Sequence, residues 1–199
     1  MSNLVDLPSL AEFAPDPFAD TLQRVRSVYD AVGTAVGVER QVMEEQRERS
    51  ERESPDSFNE WEHQIFDDWK HDLDECNKIR CGMALVVLNS ALKSLAHESN
   101  IALARPKKRT RDPWTVHFKH ALAARNIDVS SAPGWDRIEE VSAARNKMEH
   151  PRGDVRQNRY LNGEGDVDFS QEVFDATLSR LEEFAKWWRK RLREDGGLR

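Results

Sequence analysis

The chain has 199 residues, 33 % charged and 38 % hydrophobic, with a formal net charge of -6. That is enough for one domain with a real core or for a bundle with an extension, and six tryptophans argue against disorder throughout. The longest apolar run, "MALVVL" at 83–88, is far short of a membrane span, and no basic region followed by an apolar one opens the chain, so the expectation is no signal peptide and a cytoplasmic protein.

Residues 1–17 are rich in proline and small residues and read as a flexible N-terminal arm. From Asp20 to about Arg52 the residues Leu22, Val25, Tyr29, Val32, Val36 and Val42 recur at helical spacing, giving an N-terminal amphipathic helix within 18–54. Its tail, "MEEQRERSERES", is charged all round and must project into solvent or fray. Pro55 breaks it, and Ser57 to Glu60 form a capping-box signature for a second helix. There the apolar stripe continues through Phe58, Trp61, Ile65, Trp69, Leu73, Cys76, Ile79, Met83 and Val87 to about Ala96. Such a helix would be on the order of 60 Å long, with a kink expected at Gly82. Cys76 and Cys81 lie roughly 140° apart around its axis, poor geometry for a disulfide, and no zinc-ligand spacing surrounds them.

A basic loop, "ARPKKRTRDP", follows. Asp112 and Pro113 can open a third helix running to about Arg125, "SSAPG" separates it from a helix over Trp135–Glu149, and "LNGEGD" is a turn signal. A last helix carries Phe174, Leu178, Leu181, Trp188 and Leu192 as a near-heptad stripe. No strand is expected. The fold class is all-α, an antiparallel helical bundle of four to five helices with an N-terminal helical extension, residues 55–199 forming the bundle.

Charge is divided unevenly. Residues 1–76 carry 19 Asp+Glu against 7 Lys+Arg, a net -12, while residues 77–199 carry 17 against 23, a net +6. The basic part contains the segment that holds the most chemistry, "EEVSAARNKMEHPRGDV" at 139–155. On a wheel of roughly 100° per residue, Val141, Ala144 and Met148 share an arc with Ile138, and Arg145 falls inside it. A guanidinium there needs an anion, a wet cleft or a partner, because an unpaired buried charge costs several kcal/mol. Pro151 disfavours helix at His150, so the helix should end there and free the imidazole to swing back, with Asn146 on the same face to orient it. An always-charged fork and a titratable ring are thereby set at the mouth of a cleft.

"RNKMEH" resembles the Arg-(four to six residues)-His motif of the HEPN superfamily, and "HPRG" resembles the His-x-x-Gly that follows it in many members. The resemblance covers roughly residues 58–193. It implies a metal-independent endoribonuclease with no cofactor, acting as a homodimer whose two motifs face each other across a cleft. Arg145 and His150 would be its catalytic pair and Asn146 their polar companion. Members often serve as toxins or in phage defence, so an antitoxin or defence-system partner is also implied. Arg152 stands where a His-x-Tyr ending would need tyrosine. Arg111 and His117 repeat the bare spacing, but across a helix start and without the asparagine. The first "AARN", at 123–126, has Ser130 where the histidine would be needed.

In "RPKKRTR", Arg105, Lys107, Lys108, Arg109 and Arg111 are candidate phosphate contacts for RNA; the plainer reading is a solvated loop. The plainer reading of Arg145 to His150 is a helix C-terminus that favours cations, with Arg145 paired to a buried carboxylate. Glu60 and His63 have Glu-x-x-His spacing but no second copy, and His63, Asp67 and His71 fit a solvated acidic face better than a metal site. His117 and His120 share a face without a third ligand. Two further functions stay open beside the ribonuclease: a non-catalytic nucleotide- or RNA-binding or dimerisation module, and a helical protein-interaction scaffold.

Overall fold

A computed structural model of the protein describes residues 16–53, 60–98, 114–124, 126–149, 158–162 and 166–194. Among these residues the fold is five α-helices: α1 (Pro17–Glu53), α2 (Glu60–Glu98), α3 (Trp114–Ala123), α4 (Trp135–Glu149) and α5 (Gln171–Glu194). A 3-10 turn at Val129–Ser131, capped by the Asp128 side chain, precedes α4. The described residues contain no strand; one isolated antiparallel bridge joins Leu161 to Val167, flanking the predicted turn.

Local chemistry explains where the helices begin. Asp16 Oδ1 accepts from the backbone N–H groups of Phe18 and Ala19, both at 3.1 Å, with Pro17 at the first helical position. The Ser170 hydroxyl does the same for α5, accepting from the Val173 N–H at 3.4 Å. After α3 the chain turns at Asn126, whose φ of 60° suits an asparagine better than most residues. The capping signature at Ser57 and the Asp112–Pro113 start fall outside the described residues.

α1 runs antiparallel to α2 and to α5. Tyr29 lies against Cys81 and Arg40 donates to Asp74 at 2.6 Å on one side. On the other, Gln171 donates to Asp30 at 2.7 Å and Arg189 pairs with Asp16. Phe18, Leu22, Val25 and Tyr29 belong to the common core, so the first half of the predicted extension is built into the bundle. The second half, past Met43, has an exposed charged surface and projects with the start of α2.

α4 is the most enclosed helix: Ile138, Val141 and Ala144 are fully buried. An aromatic group joins α3, α4 and α5, with Phe118 edge-on to Trp188 at 5.4 Å and 6.1 Å from Trp135.

α2 differs from expectation in the face it buries. Its core face is Leu73, Cys81, Ala84, Leu85, Leu88 and Leu92, while Trp61, Ile65, Cys76, Ile79, Met83 and Val87 point outward. The segment is apolar all round between residues 83 and 88, so periodicity alone did not select the buried side. By length and composition alone α2 is long and apolar enough to cross a membrane, but half of its most apolar stretch is buried in the bundle. Gly82 lies inside the continuous helix. A Cβ there would lie 2.8 Å from the Met148 methyl group, so this glycine lets α4 approach.

The Asp16–Arg189 pair yields a pH prediction. Burial pushes the Asp16 carboxyl up, but Arg189 and the two backbone N–H groups outweigh it and hold the pKa below the ordinary 3.8. A depressed carboxylate stabilises the fold above its unfolded pKa and loses that contribution as pH falls through the folded value. Asp16→Asn should therefore lower the thermal midpoint at pH 7, and the gap from the parent should close as pH drops below 3.8. Melting curves at several pH values check this; a gap that persists in acid would assign the effect to capping alone.

Candidate functional site

Arg145 and Asn146 lie on the last turn of α4, both half-buried, immediately after the fully buried Ala144. The helix brings them there because Ile138, Val141 and Ala144 anchor one face against α2 and α5. Arg145 Nη1 donates to Asn146 Oδ1 at 3.4 Å, a long contact. Arg145 and Lys147 each make interactions beyond this one. Met148, placed with Ile138 on the sequence wheel, is instead 43 % exposed. The inward arc of α4 therefore ends about one turn before the helix does.

Of the candidate catalytic residues, Arg145 and Asn146 are thus brought together at a helix end. His150 lies outside the described residues, as do Arg105, Lys107, Lys108, Arg109 and Arg111.

Beside this helix end lies an open groove of about 820 Å³ that the sequence did not announce. Lys78, Ile79 and Met83 of α2 form one wall, and Lys147, Met148 and Asp166 complete it. Its edge is charged: Lys78 bonds Glu75 at 2.8 Å and pairs with Asp166 at 3.6 Å. These partners hold the lysine in its ammonium form, and Lys78 in turn draws the Glu75 carboxyl below its usual range. The only sequence signal for the groove was the glycine inside a helix, which marks a close approach as well as a kink.

Two further arginines deserve placing. Arg137, one turn into α4, pairs with Glu140, which is also bonded by Arg159. Burial pushes the nearby Tyr160 hydroxyl up to about 12, so it serves as a neutral partner of Thr177 at 2.8 Å. Arg80 of α2 lies over the Tyr29 ring at 3.9 Å and donates to its hydroxyl at 3.1 Å. Gly33 makes room for that guanidinium.

His63, Asp67 and His71 of α2 are exposed, as the charge pattern implied, and no group of three metal-ligating side chains occurs among the described residues. Compared with known proteins, the chain matches no family model, no curated sequence and no solved structure.

Proposed function

We propose that the protein is a metal-independent endoribonuclease of HEPN type, a cytoplasmic homodimer that cuts single-stranded RNA. The observation that carries this reading is the position of Arg145 and Asn146. They lie half-buried on the final turn of α4, five and four residues before His150, and the next two residues of that turn, Lys147 and Met148, line an open groove. RNA supplies the chemistry that such a set uses, a 2′-hydroxyl next to a phosphodiester. His150 takes the proton of the 2′-hydroxyl as that oxygen attacks phosphorus, and the His150 of a second copy protonates the departing 5′-oxygen. Arg145 binds the charge that builds on the phosphoryl oxygens, which a planar fork fits. The products are a 2′,3′-cyclic phosphate and a 5′-hydroxyl. Arg105, Lys107, Lys108, Arg109 and Arg111 contact phosphates, and the role is that of a toxin or phage-defence effector with an antitoxin or defence-system partner.

A second reading has one observation of its own. The exposed large hydrophobic side chains among the described residues all belong to α1 and α2 except Met148. A bundle with outward apolar faces on two helices suits a non-catalytic dimerisation module or an interaction scaffold.

Purified protein incubated with labelled single-stranded RNA in EDTA is expected to cut it. Arg145→Ala and His150→Ala should each reduce the rate by about 10²–10⁴-fold, the range for charge stabilisation and acid–base catalysis, with the thermal midpoint nearly unchanged. A requirement for divalent metal, or cleavage that survives His150→Ala, overturns the mechanism. A parent protein that neither binds nor cuts RNA selects the second reading.

A further inference from the structure

α1 carries two apolar stripes. One, Phe18, Leu22, Val25 and Tyr29, enters the core. The other faces away from it: Val28 is 56 % exposed, Val32 37 %, Val38 57 % and Val42 36 %, with Ala31 and Ala35 also exposed. Together these six run along one side of the helix for about 21 Å. Four outward valines in one file are more than the scattered apolar residues a surface normally shows.

The four valines of this file are placed symmetrically about Ala35, while Ala31 reflects onto Glu39. Val28 and Val42 are equidistant from it, and so are Val32 and Val38. The small residue sits where two helices would cross most closely, and the larger ones flank it on both sides. We infer that α1 pairs antiparallel with α1 of a second copy of this chain, crossing at Ala35 on a two-fold axis. The pairing places Val28 on Val42 and Val32 on Val38, twice over, as an isologous contact requires.

The charges at the ends of the file favour this occupant and this direction. Reversal about Ala35 brings Arg24 opposite Glu45 and Gln46, and Asp20 opposite Arg49 and Ser50. A parallel arrangement would set Arg24 on Arg24, Glu39 on Glu39 and Glu45 on Glu45, like charge on like. Neither Asp20 nor Arg24 is needed by the α1–α5 contacts, which use Asp16, Arg26 and Asp30. A two-helix contact of this length buries on the order of 1,000 Å², at the low end for specific interfaces. The inference does not rest on the ribonuclease reading, and a failed cleavage assay leaves it untouched.

Cysteine crosslinking of the full chain tests it. Cys76 is exposed and would be removed as Cys76→Ser, while Cys81 is buried and stays. Under mild oxidation Ala35→Cys should give a covalent dimer. Val28→Cys alone should not, and neither should Val42→Cys, but their mixture should. Val32→Glu with Val38→Glu, at exposed positions that leave the core alone, should raise the dimer dissociation constant by about a hundredfold or more. Three outcomes would overturn the proposal. One is a parent protein that is monomeric at micromolar concentration by light scattering. Another is Val28→Cys crosslinking to itself as well as Ala35→Cys does, the mark of parallel pairing. The last is a monomer whose Ala35→Cys thiol resists a maleimide, meaning that the chain covers the stripe with a segment of its own.

Discussion

Trp188→Ala should lower the free energy of unfolding by about 3–5 kcal/mol, the usual cost of truncating a fully buried aromatic residue. Trp188 has no exposed surface and is among the largest side chains in the core. It meets Phe118 edge-on and Trp187 at 6.2 Å, so its removal empties the junction of α3 and α5. Its indole N–H is buried and has no acceptor among the described residues. Trp188→Phe removes that unpaired donor while keeping most of the ring volume, so it should cost much less than alanine. Urea unfolding of the three proteins checks both statements. Equal losses for Phe and Ala would mean that the indole N–H is bonded after all.

Gly134→Ala is the second large effect. Gly134 has φ of +76°, and a Cβ there would lie 2.3 Å from the Arg180 carbonyl oxygen and 2.9 Å from its carbon. Those are backbone atoms of α5, which cannot step aside as the end of a side chain can. Left-handed backbone costs an alanine about 1–2 kcal/mol before any clash is counted. Prising α4 from α5 brings the total to roughly 2–4 kcal/mol. The same change at Gly37 should do the opposite. That residue is inside α1 with nothing within 4 Å of a Cβ, so Gly37→Ala should stabilise by about 0.5–1 kcal/mol. Melting curves for the pair report the contrast, and a neutral Gly134→Ala would show that α5 yields easily.

The helices were legible in the sequence because their stops are chemical: prolines, small polar clusters and a glycine-rich turn interrupt long periodic runs. α4 was placed at Trp135–Glu149, and the structure has it there. Which side of a helix faces inward was less legible. On α2 the larger residues Ile79, Met83 and Val87 drew the stripe, yet the buried side is Cys81, Ala84, Leu85 and Leu88. A helix apolar all round leaves that choice to its neighbours, and local sequence does not contain them. On α1 the predicted stripe mixed two faces, taking Leu22, Val25 and Tyr29 from the core and Val32 and Val42 from the outside. Half of the candidate site was readable for the same reason as α4 itself. Arg145 and Asn146 follow from the helix register, whereas the groove beside them needs residues 78–83 and 166, contributed by other parts of the chain.

The contacts of α1 also bear on how the protein is made. Tyr29 donates to the Phe169 carbonyl at 3.1 Å, across 140 residues, and Asp16 meets Arg189 across 173. α1 leaves the ribosome well before α5, which closes over part of its core face. At roughly 5–20 residues per second, Phe18, Leu22 and Val25 spend on the order of ten seconds or more without that cover. α2 emerges sooner and shields one side of α1, so a nascent α1–α2 hairpin is the natural holding state. A transcript cut short before the codon for Arg189 would release chains arrested in that state. They would expose both apolar stripes of α1 at once and be ready substrates for chaperones and proteases.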